Sequence, residues 1–109
     1  MFNNHLSVKR MVELEEKIKQ NPPIKFEDFA NIIELQNKKE ANYILTSYAM
    51  PFEQIKNAIL DYENSASKAD ELVFIQNLCE RYGQERKLVL QRIRDVKRID
   101  KYRKKRGFV

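Results

Sequence analysis

Apolar residues recur every three or four positions along most of this chain, and only short polar or proline-bearing stretches break the rhythm. That period belongs to amphipathic helices. A first helix is expected from Ser7, its cap, through Gln20, with Val8, Met11, Val12 and Ile18 on one face and Glu13, Glu15, Glu16, Lys17 and Lys19 facing outward. Asn21-Pro22-Pro23 ends it, because successive prolines cannot continue the hydrogen-bond ladder. A second helix follows from about Lys25 to Gln36, with Phe26, Phe29, Ile32 and Ile33 as its stripe and Glu27 and Asp28 near its positive end.

Asn37 and the Lys38-Lys39-Glu40 cluster mark a short connection into a helix carrying Tyr43, Ile44, Leu45 and Tyr48. Pro51 suits the first turn of the next helix, which runs from Phe52 to Tyr62. Asn64-Ser65-Ala66 is a loop, and Ser67-Lys68-Ala69-Asp70 has the spacing of a capping box opening a helix that ends at Tyr82, where Gly83 terminates it. From about Glu85 a last helix carries Val89, Ile93, Val96 and Ile99, with Tyr102 continuing the seam. So narrow a seam packs by one face and presents the other, and Arg103 to Arg106 are expected to fray.

Composition agrees with this count of about six helices: only two Gly and three Pro in 109 residues leave few turns for a sheet. The chain is expected to be all-α and a single domain. Residues 1–40 supply the N-terminal helices, 41–62 a first helical hairpin, and 68–106 a second hairpin with a long basic helix.

Charge separates that last helix from the rest. The formal net charge is +5, yet eleven Lys or Arg face only Asp95 and Asp100 between Arg86 and Arg106, so the remainder of the chain is net acidic. Charge confined to one element marks a contact surface for a polyanion. Asp95 and Asp100 can each pair with a base three or four residues away, but two acids cannot compensate eleven bases.

The two hairpins share a pattern. Ile44-Leu45-Thr46-Ser47-Tyr48-Ala49 aligns with Leu78-Cys79-Glu80-Arg81-Tyr82-Gly83, and without a gap Ile55 then falls on Val89, Asn57 on Gln91, Ile59 on Ile93 and Asp61 on Asp95. Each copy reads helix, tight turn, helix, with Ala49 or Gly83 at the reversal. This spacing resembles helix-turn-helix DNA-binding proteins over residues 41–62 and 75–96. The second copy departs from that pattern at Gln84, which is polar, and at Arg92, where the family often has a buried aliphatic; a longer turn at Gln84-Glu85-Arg86 would accommodate this.

The resemblance implies DNA-facing side chains at Gln54, Lys56 and Asn57 in the first copy and at Arg86, Lys87 and Gln91 in the second. Amides pair with adenine edges and Arg with guanine. Arg94, Lys97, Arg98 and Lys101 lie farther along and are expected on phosphates. The implied function is non-enzymatic binding of double-stranded DNA, by a transcriptional regulator or an accessory factor of a phage or mobile element. The alternative is a protein-protein adaptor or helical oligomerisation module, with the Val89/Ile93/Val96/Ile99 seam joining a second subunit.

Other chemistry is sparse. Tyr43, Tyr48, Tyr62 and Tyr82, with Phe26, Phe29, Phe52 and Phe74, fit apolar helical faces as core aromatics, their hydroxyls reaching the rim. Cys79 lies on an apolar face as a small hydrophobe, and one His with one Cys builds neither a metal site nor a catalytic pair, so no cofactor and no enzyme activity are expected. No apolar run approaches the roughly 20 residues of a membrane span, and Met1 to His5 lack a signal peptide's apolar core, which points to a cytoplasmic protein.

Overall fold

The computed structural model describes residues 6–20, 38–65 and 70–105. These residues form five helices: α1 (Val8–Gln20), α2 (Lys38–Ala49), α3 (Phe52–Glu63), α4 (Glu71–Tyr82) and α5 (Arg86–Lys105). Strands are absent among them, so the chain is all-α. The helix expected over Lys25 to Gln36, and its aromatic stripe, lie outside the described residues.

The ends of the helices follow local chemistry. Ser7 caps α1, its hydroxyl accepting from the Arg10 N–H at 3.1 Å. Lys38, Lys39 and Glu40 are already helical rather than a connection, and Glu40 is buried in a two-pronged bond from Arg10, with both N···O distances 2.9 Å. Pro51, extended at φ −55° and ψ 141°, precedes α3. The cap of α4 is Asp70: its carboxylate accepts from the Leu72 N–H at 2.9 Å. Ser67 to Ala69 lie outside the described residues. Gly83 closes α4 in the left-handed region (φ 63°, ψ 34°), which a glycine enters without steric cost.

α5 is the central element. It packs against each of the other four helices, and α1 also packs on α2. The apolar seam Val89, Ile93, Val96 and Ile99 lies in the core with Met11, Leu14, Ile44, Met50, Ile55, Ile59, Ile75 and Leu78. The seam is therefore consumed within the chain, which corrects the expectation that it could join a second subunit as a coiled coil. The helix also stays wound through Lys105 instead of fraying at Arg103. Arg103 holds it there, 3.1 Å from Glu16 of α1 and with its guanidinium carbon 4.9 Å from the Phe52 ring centroid.

The two hairpins share their buried faces and little else. Ile55 and Val89 are both fully buried, and Ile59 and Ile93 nearly so. The turns differ: Ala49 is the last helical residue of α2, whereas Gly83 lies beyond α4 and begins a three-residue turn ending at Glu85. α4 packs directly on α5, while α3 packs more extensively on α5 than on α2.

Candidate nucleic-acid interface

One side of α5 is fixed by a buried polar cluster. Arg92 is fully buried, with its Nε donating to the Met50 carbonyl at the end of α2 and its Nη1 to the Tyr43 hydroxyl, both at 3.0 Å. Its Nη2 donates to Glu15 Oε2 and to Ser47 Oγ, again at 3.0 Å. Tyr43 and Ser47 also donate to the Glu15 carboxylate. One guanidinium thus joins α1, α2 and α5 and neutralises the negative end of α2.

Electrostatics keep Arg92 charged and Tyr43 protonated within this cluster. Burial works against the charge of Arg92, but Tyr43 and Glu15 outweigh it and hold the guanidinium above its ordinary range. Burial first, and then the charge of Glu15, push the Tyr43 phenol well above its usual value. Two expectations are corrected here: Glu15 faces the core rather than solvent, and the Tyr43 hydroxyl is buried rather than at the rim. Tyr82 does reach the rim, where its hydroxyl donates to Gln54 at 2.9 Å.

Anchored by Arg92, α5 turns its opposite side to water. Its exposed residues are Arg86, Lys87, Arg94, Lys97, Arg98, Lys101, Lys104 and Lys105. At 3.6 residues per turn they occupy an arc of about 120° and run about 28 Å along the axis. Asp95 and Asp100 lie at the flanks: Asp95 is buried, 3.6 Å from Arg98, and Asp100 is half-buried between Lys56 at 3.4 Å and Lys104 at 3.1 Å. Among the described residues Arg86, Lys87, Arg94, Lys101 and Lys105 form no ion pair.

The candidate DNA-facing residues fall into two groups. Six of them, Arg86, Lys87, Arg94, Lys97, Arg98 and Lys101, share the exposed arc of α5. Gln91 is half-buried at its edge, donating to Asp95 at 2.9 Å and accepting from Arg94 at 2.9 Å. The α3 residues are not brought together with one another, and only Lys56 lies beside lysines of the α5 arc. Gln54 is directed at α4 through Tyr82, Lys56 turns to α5 through Asp100, and Asn57 is exposed one helical turn from the exposed acids Glu53 and Asp61. The outward face of α3 is thus acidic and polar apart from the exposed Leu60.

Sequence reading overlooked Arg92 as a core residue, although a signal was present. Arg92 stands three residues after Val89 and four before Val96, on the buried seam itself. Glu15 likewise stands four after Met11 and three before Ile18. A charged residue on a seam position of two helices marks a buried pair.

No known protein family, characterised protein or solved structure shows detectable similarity to the chain. Among the described residues no helix is long and apolar enough to cross a membrane, and no group of three His, Cys, Asp or Glu could hold a metal ion.

Proposed function

We propose that the protein binds double-stranded DNA through the exposed face of α5. One observation carries this reading: every exposed side chain of that 20-residue helix is Lys or Arg. A solvating helix face ordinarily mixes signs, because unmixed charge repels itself. A linear stripe of cations instead complements a linear polyanion, and a duplex carries about one negative charge per 1.7 Å of its axis.

The α4–α5 hairpin supports the same reading. It has the order of a helix-turn-helix, with α5 as the second helix and Arg86, Lys87 and Arg94 in its leading half. Gln91 and Gln54 are engaged by Asp95, Arg94 and Tyr82, so few amides are left to read base edges. Binding then rests on phosphate contacts and varies weakly with sequence.

The test is a titration of labelled random-sequence duplex. Binding at low salt should weaken by about a thousandfold or more between roughly 50 and 200 mM salt, as expected for six or more phosphate contacts. Absence of binding at the lower ionic strength would remove the reading.

A further inference from the structure

We propose that the groove between α3 and α5 seats one sugar–phosphate strand of that duplex, with Lys56, Lys101 and Lys104 at its phosphates and Leu60 against its sugars. The inference rests on the DNA-binding reading. α5 spans about 30 Å, whereas the major groove of DNA is about 12 Å wide, so the helix cannot lie across the groove without overrunning it. With Arg86 to Arg94 in the groove, Lys97, Lys101 and Lys104 begin about 16 Å beyond Arg86, over a bordering strand.

A cleft of about 310 Å³ opens at that place, lined by four lysines, Lys56, Lys97, Lys101 and Lys104, and by the exposed Leu60. Lys56 is the single cation of α3. Two acids share the cleft: Glu63, 3.7 Å from Lys97, and Asp100, which holds Lys56 and Lys104. They orient the ammonium groups without neutralising the set. A phosphodiester strand supplies the missing negative charge and, on its deoxyribose, an apolar face for Leu60. Charge complementarity and an apolar floor are thus met by one occupant.

Lys56→Gln and Leu60→Asn test this, because both positions belong to the cleft and neither belongs to the exposed arc of α5. With folding verified by thermal melts, each variant and the wild type are titrated with random-sequence duplex over a range of salt. Lys56→Gln should weaken binding about fivefold and reduce the slope of log affinity against log salt by about one. Leu60→Asn should weaken binding about threefold with the slope unchanged, since it removes no charge.

Wild-type affinity and slope in both variants, while Lys87→Glu with Arg94→Glu loses binding, would overturn the strand seat and leave the DNA reading standing. Polyglutamate binding that Lys56→Gln weakens, with duplex binding unaffected, would assign the cleft to an acidic polypeptide and overturn the proposal. Absence of duplex binding by the wild type at low salt would overturn both.

Discussion

Arg92 and Glu15 stand 77 residues apart in the chain and meet in the core, Nη2 to Oε2 at 3.0 Å, with both side chains withdrawn from water. Such a pair loses two hydration shells and is tolerated only where other groups complete its hydrogen bonding. Tyr43, Ser47 and the Met50 carbonyl do so here. The pair fixes the rotation of α5 about its axis, and that rotation decides which side chains form the cationic stripe.

Arg92→Met should accordingly destabilise the fold by about 3–5 kcal/mol, since it leaves the Glu15 carboxylate buried without its counter-charge. Arg92→Lys should recover little of this, because an ammonium lacks the planar fork that serves four acceptors. Adding Glu15→Gln to Arg92→Met should restore part of the loss. Urea denaturation of the wild type, the single variants Arg92→Met and Glu15→Gln, and the double variant measures the coupling, and additive effects would show that the two residues act independently.

Asp95 gives a pH dependence with a definite sign. Burial pushes its carboxyl above the ordinary value of 3.8, with the Gln91 hydrogen bond and the charges of Arg98, Arg92 and Arg94 opposing. The folded state therefore holds this proton more tightly than the unfolded chain. Its contribution to stability falls as pH rises from below 3.8 through the raised folded value. Asp95→Asn keeps an acceptor for Gln91 and should be more stable than the wild type at neutral pH, the difference closing below about pH 3.8. Asp100 acts in the opposite direction: burial opposes its charge, but Lys104 and Lys56 prevail and hold it below its ordinary value. Thermal melts of variant and wild type compared at each pH isolate Asp95, and a variant less stable at neutral pH would show that its Arg98 pair outweighs burial.

The stripe itself should be separable from stability. Lys87→Glu, Arg94→Glu and Lys101→Glu together alter three exposed residues that form no ion pair among the described residues. Each should change folding stability by no more than about 0.5 kcal/mol. Duplex affinity should fall by about a hundredfold or more, because phosphate contacts become repulsions. Unfolding of the triple variant would instead make the stripe a structural element.

Sequence alone determined the helical architecture, because apolar spacing, prolines and Gly83 act locally. The five described helices begin and end within about three residues of where those signals place them; α2 starts early, at Lys38, where Glu40 bonds Arg10 across the fold, and α4 starts late, at Glu71. Sequence also located the positive charge on the last helix, since charge is a property of composition. The roles of individual charges were decided by tertiary structure. Arg92, one of eleven bases in its segment, became a core residue because α1 and α2 bring Glu15, Tyr43, Ser47 and the Met50 carbonyl to it. Gln54, Lys56 and Asn57 are already spread around α3 by its helical period, but that the first meets Tyr82 of α4 and the second meets Asp100 of α5 was decided by packing. Spacing states which residues share a face of one helix, but the partner of each face is a property of distant segments meeting, and only the packed fold supplies it.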